Sequence, residues 1–215
     1  MQSRHLAFLS SLALLGALCM AAPSLRAQQM TNPKDYSLAY GLAAGVLLPT
    51  GDISDVQSTG WNAQIFADWM SKTQPYGARA DMSYGGLSGK TISADGAAIS
   101  ASDLHLFSLT ADGVWMFHPP RGSADSTAAD RTTPYILAGI GFYRADYDVR
   151  STSTMVADDR GTSNFGINFG GGLLYRFGSF QGFGEIRYHN VFNGAAGGSA
   201  HYIPIMVGLR FGGYR

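Results

Sequence analysis

The chain has 215 residues, 46% hydrophobic and only 14% charged, and its 15 basic and 15 acidic side chains cancel to a formal charge of zero. That balance, with no recognition motif, excludes a nucleic-acid partner. Glycine, at 28 residues, is about twice its usual ~7%, while three lysines (Lys34, Lys72, Lys90) and one glutamate (Glu185) leave too few of the residues that long helices favour.

The first element is a leader. Arg4 and His5 precede an apolar run from Leu6 to Ala22, and Ala27 before Gln28 offers a small residue for cleavage. The expectation is a cleaved signal peptide over 1–27 and an exported barrel domain over 28–215. Cys19 is the single cysteine and follows Leu18, where a lipid-attachment site needs Gly or Ala, so neither lipidation nor a disulfide is expected. Removal of 1–27 deletes Arg4 and Arg26 and no acid, leaving 13 basic against 15 acidic residues.

Eight segments with period-2 patterning follow, near 36–49, 59–71, 75–86, 102–118, 134–148, 162–177, 180–192 and 201–212. Short turns at 72–75 and 178–179 alternate with longer polar connections at 87–101 and 151–163, as in a spanning barrel; the 119–134 connection is longer than that rule allows. No apolar run after the leader reaches the ~18 residues of a spanning helix.

Along each segment the two faces differ in chemistry. One carries Trp61, Ile65, Trp69, Tyr84, Phe107, Trp115, Phe117, Phe165, Tyr175, Phe177 and Tyr188. Trp61 and Trp69 are eight residues apart, as are Phe107 and Trp115. That spacing is roughly 19 Å along the axis of a barrel with tilted strands, close to an apolar band edged by two aromatic girdles. The other face carries Asp68, Asp81, Asp112 and Glu185 against Arg79, Arg176, Arg187 and Arg210. Four charges of each sign, with no lysine, suit a narrow interior in which every charge needs a partner. Gly170, Gly172 and Gly208 on the same face would make room for the long arginines. The oily face is therefore expected outside, giving an all-β, eight-stranded antiparallel up-and-down transmembrane β-barrel; a soluble barrel with the faces exchanged is the alternative. Pro204, which removes a ladder donor, is expected at a bulge or near the rim.

Four stretches carry a resemblance: "GLAAGVLLPTGD", "PYILAGIGFYR", "FGEIRYH" and "YIPIMVGLRF", spread in order over nearly the whole exported chain. Together they resemble the β-barrel domain of small OmpA/OmpX-type outer-membrane proteins. The resemblance implies a bacterial outer-membrane location, contact with lipid and lipopolysaccharide, and a terminal aromatic read by the barrel-assembly machinery. Phe211 holds that place, with Tyr214 as competitor. No peptidoglycan-binding domain is expected to follow, unlike in the longer members of that family, and the expectation is a monomer whose external loops meet an unknown partner.

Chemistry is sparse. "YGGLSGKT" puts Tyr84 where a phosphate loop needs its first glycine, and no helix follows. Eight-stranded lipid A deacylases resemble the chain around "RYHNVFNGAAGG", but Val191 stands two residues after His189, and His189 shares parity with Glu185 and Arg187. No Ser–His pair is expected, hence no enzyme and no cofactor. His189 and His201 flank the last loop, where two rim histidines in water outweigh a metal pair; Asp146, Asp148, Asp158 and Asp159 read as a solvated acidic loop rather than a Ca²⁺ site. The expected role is structural or surface-interacting, with a lumen plugged by paired charges. A narrow channel or small-ligand barrel is the alternative, and a lipid A-modifying enzyme the third reading.

Overall fold

The computed structural model describes residues 36–94, 97–117, 131–147, 162–193 and 198–212. The leader at 1–27, Asp148, Asp158, Asp159 and Tyr214 lie outside them. Among the described residues ten strands form: β1 (Tyr36–Thr50), β2 (Gly60–Ser71), β3 (Tyr76–Leu87), β4 (Thr91–Ala94), β5 (Ala97–Ser100), β6 (Leu104–Met116), β7 (Thr132–Tyr147), β8 (Thr162–Phe177), β9 (Phe180–Asn193) and β10 (Gly198–Gly212). Eight of them close into an antiparallel barrel in the order β1-β10-β9-β8-β7-β6-β3-β2, each beside its chain neighbour except where the β4–β5 hairpin intervenes. A one-turn helix, α1 (Ile53–Val56), follows β1.

Closure and tilt follow from register. A path of paired residues starts at Ala39 and runs through Asp68, Arg79, Asp112, Gly139, Asn168, His189 and Tyr202. It returns to β1 at Pro49, ten residues along the strand from its start. Ten residues at ~3.3 Å over eight strand spacings of ~4.8 Å give a tilt of about 40° and a wall diameter of about 16 Å. Such a barrel is filled by side chains.

The eight expected segments become the eight wall strands. Two small elements were not expected: α1, and the β4–β5 hairpin inside the polar 87–101 connection. Both belong to a clasp over one barrel end. Gln57 bridges to Gly89, and its Nε2 donates to the Ser102 carbonyl at 3.0 Å. Lys90 Nζ donates to the Ser54 carbonyl at 2.5 Å, and Ile53 packs onto the buried apolar cluster below. The barrel thus has a loop end, with this clasp, and a turn end, with the connections at 71–76 and 177–180.

Pro204 corrects an expectation. It is fully buried inside the wall and pairs with Leu47. On the β9 side the ladder pauses between Tyr202–His189 and Ile205–Ile186, yet the register resumes unshifted. The missing donor interrupts the pairing locally and no bulge forms.

Candidate functional site

The wall sorts side chains as the parity predicts. Ile140, Phe165 and Val207 face outward at 66%, 72% and 69% exposure, whereas Asp68, Arg79, Asp81, Asp112, Glu185, Arg187 and Arg210 face inward and are buried. Each inward charge finds partners across the lumen. Arg79 Nε lies 2.6 Å from Asp68 Oδ1, and its Nη1 lies 2.7 Å from Glu185 Oε2. Arg187 reaches three carboxylates: Glu185 at 2.5 Å, Asp81 at 3.0 Å and Asp112 at 3.2 Å. Arg210 Nε donates to Asp68 Oδ2 at 2.7 Å and its Nη1 to Gln181 Oε1 at 2.5 Å. A continuous chain of charge-assisted bonds therefore crosses the interior from Gln181 to Asp112, the strong kind of hydrogen bond in a site that water scarcely enters.

Neutral groups complete it. Tyr135 donates to Glu185 Oε2 at 2.5 Å, Asn168 Nδ2 to Asp112 Oδ1 at 2.8 Å, Thr110 to Asp81 and Asp112, and Gln64 to Asp81. Arg79 also lies over the Phe66 ring at 4.2 Å, and Phe66 meets Phe183 edge-on at 5.4 Å. The network draws on β2, β3, β6, β7, β8, β9 and β10. In its inward set β1 contributes Ala39, Gly41 and Ala43, whose small size leaves the space these side chains fill.

Sequence parity missed Phe66, Tyr135 and Gln181. Phe66 was legible, standing between Gln64 and Asp68 on the inward face. One predicted member is corrected: Arg176 is exposed, one residue from the end of β8, where the wall opens to the turn and a side chain of inward parity escapes to solvent. Three arginines therefore meet four carboxylates. The glycine expectation is refined as well. A Cβ at Gly170 would sit 2.8 Å from Arg187 Cγ, but one at Gly172 would strike the Tyr135 hydroxyl and one at Gly208 the Phe183 ring. Each Cβ would also strike a backbone carbonyl of the adjacent strand (Ile186, Gly184 and Leu42), so these glycines admit the neighbouring backbone together with one arginine and two aromatics.

Apolar clusters lie on both sides of this layer. Met70, Val114, Met116 and Leu174 gather toward the turn end, and Leu47, Leu87, Leu104 and Val191 toward the loop end. Between the ion network and the second cluster lies a polar void of about 10 Å³, bordered by Asn62, Gln64, Ser83, Ser108, His189 and Tyr202. That is the volume of one water-sized sphere, too small for a solute.

The aromatics on the outer face form two rings. Trp61, Tyr84, Phe107, Phe165 and Tyr188 stand toward the loop end; Trp69, Trp115, Phe117, Tyr175 and Phe177 stand toward the turn end. Neighbours touch within each ring, as Trp61 does Tyr84 at 5.7 Å and Tyr175 does Phe177 at 4.7 Å. Phe211 lies outward at the turn end, 6.3 Å from Phe180.

No family model matches the chain, and no curated protein matches it. Solved structures do. Neisserial surface protein A is 17% identical, covering 82% of this chain and 95% of its own, with a TM-score of 0.51. A major outer membrane protein from Thermus thermophilus is 10% identical, covering 82% and 98%, with a TM-score of 0.52. The outer membrane protein OprG from Pseudomonas aeruginosa is 12% identical, covering 82% and 94%, at 0.50. The fold is that of the small OmpA/OmpX-type outer-membrane barrels.

Within this OmpA/OmpX-type barrel the histidines separate. His189 points inward and is buried, its Nδ1 3.0 Å from the Tyr143 hydroxyl and its ring stacked on Tyr202 at 4.7 Å. It is not a rim histidine in water. His201 is on the outer face, so the two cannot share a metal. Among the described residues no three metal-ligating side chains come together. Asp146 instead accepts both contacts from Arg144 Nε at 3.1 Å.

His201 corrects a second expectation. Ser199 Oγ lies 2.9 Å from His201 Nε2, and the Tyr188 hydroxyl lies 2.8 Å from His201 Nδ1. A Ser–His pair exists, formed by a serine before the histidine rather than after His189. Strand β10 begins at Gly198, three residues earlier than its apolar pattern suggested, and this puts Ser199 and His201 on one face.

Proposed function

We propose that the chain is exported by its leader and spans the bacterial outer membrane as a sealed barrel with a structural or surface-contact role. The observation that carries this is the pairing of an apolar, aromatic-ringed outer face with an interior whose carboxylates all meet arginines. Apart from the local interruption at Pro204 and the loop-end edge of β10, a closed ladder pairs the wall amides without water, as hydrocarbon requires. The outer face would meet lipid, and lipopolysaccharide at the loop end. The loops would contact a partner outside the cell, and Phe211 would serve the assembly machinery as the terminal aromatic. The chain would act as a monomer.

The sealing is physical. A solute entering the lumen would have to part ion pairs whose groups are nearly water-free, leaving charges buried without partners. The void beside them, about 10 Å³, has room for water only, in keeping with a filled interior. Two experiments test the reading. Detergent-extracted outer-membrane protein should migrate faster unheated than boiled, and an outer-membrane fraction without the chain would contradict the location. Planar bilayers containing it should stay silent; steady conductance that changes on Arg79→Gln or Glu185→Gln would establish the narrow channel instead.

A further inference from the structure

We propose that Ser199 and His201 form a nucleophile–base pair that hydrolyses the acyl esters of membrane lipids, with Tyr188 as the positioning residue. The inference goes beyond the structural role and rests on the reading that the outer face meets lipid.

The geometry has the parts such a reaction needs. Ser199 Oγ is 2.9 Å from His201 Nε2, within proton-transfer reach. The other ring nitrogen is held 2.8 Å from the Tyr188 hydroxyl, with the rings stacked at 5.7 Å and 18°. In the tautomer protonated at Nδ1, that nitrogen donates to the Tyr188 oxygen, leaving Nε2 to accept the serine proton. Tyr188 is itself fixed against Phe169 at 5.3 Å. These residues belong to β9 and β10, so the pair sits on the rigid wall, while Ser199 is exposed enough to meet a substrate. On the other side of β10 the β1 ladder stops at Thr50 opposite His201, so the edge at 198–200 faces no described strand there. Strand N–H groups alternate between edges, which places a donor beside Ser199 for a developing oxyanion.

Position selects the substrate. The pair lies outward, level with the loop-end aromatics, at the depth where girdles mark the boundary of hydrocarbon and headgroups. The ester carbonyls of acylated lipids occupy that boundary. Ser199 Oγ adds to the carbonyl carbon as its proton passes to His201 Nε2. The tetrahedral oxyanion then collapses, the bond to the lipid alcohol breaks, and His201 returns the proton to the leaving oxygen. Water repeats the sequence on the acyl-serine, giving its proton to His201, and releases the fatty acid with the serine hydroxyl restored.

The test uses the full folded chain in detergent micelles, with fluorophosphonate labelling followed by fatty-acid release from phosphatidylethanolamine vesicles and, separately, from lipopolysaccharide. The label is expected on Ser199, and at least one lipid should yield fatty acid; which one identifies the source. Ser199→Ala and His201→Gln should each lower the rate at least about 100-fold while heat-modifiable mobility is kept. Tyr188→Phe keeps the ring and removes the hydroxyl, and should lower kcat with KM unchanged. The proposal is overturned if heat-modifiable wild-type protein releases no fatty acid from either lipid, or if Ser199→Ala retains the wild-type rate. The membrane reading fails separately, by a chain that stays soluble without detergent.

Discussion

Arg79 touches Asp68, Glu185 and the Phe66 ring, all without water around them. Arg79→Ala would leave Glu185 with Arg187 as its one cation, beside the Tyr135 hydroxyl, and open a void over Phe66. Removing one partner of a buried pair costs about 3–5 kcal/mol, so the urea midpoint of the folded barrel should fall accordingly. Arg176→Ala, in solvent at the turn end, should change stability by less than about 0.5 kcal/mol. A comparable loss at both sites would mean that the interior network does not hold the barrel. Parity assigned these two arginines alike because it reports the face a residue occupies and carries no information on depth; Arg176 is too near a strand end to be enclosed. The Ser199–His201 pair was hidden for a related reason. Small residues at 194–200 blur the start of β10, and a boundary placed three residues late removes Ser199 from the strand face.

At the level of strands, period-2 alternation made the whole wall legible, because one face of every strand must be chemically unlike the other. The β4–β5 hairpin was not read, although Asp95–Gly96 between its arms is a strong two-residue hairpin signal. Its arms are built from Ser, Ala and Thr with one isoleucine each, so no oily face announced them. Pro204 shows the converse: a residue that weakens the sheet is accommodated in its interior by losing pairing on one side only. The outer face gives the prediction proper to this scale. Ile140 lies near the middle of β7 at 66% exposure. Ile140→Arg should destabilise the barrel in lipid by about 2–4 kcal/mol, whereas Ile140→Leu should be nearly neutral, read from urea unfolding in vesicles. Equal tolerance of both would place that face in water.

For the molecule as a whole, tilt, diameter and filling are one fact. A ten-residue stagger over eight strands sets a wall about 16 Å across, and an interior of that width takes arginines and aromatics only where Gly41, Gly170, Gly172 and Gly208 leave space. An apolar outer face and an interior of paired charges are therefore coupled consequences of a single orientation. The chain's three tryptophans report on it directly. Trp61, Trp69 and Trp115 all face outward, between 46% and 51% exposed. The decisive measurement is tryptophan fluorescence of the folded barrel in vesicles of phospholipid brominated on the acyl chains. The account predicts strong quenching, greater for bromine near the headgroup than at the chain end; unquenched emission from a heat-modifiable, folded barrel would contradict it.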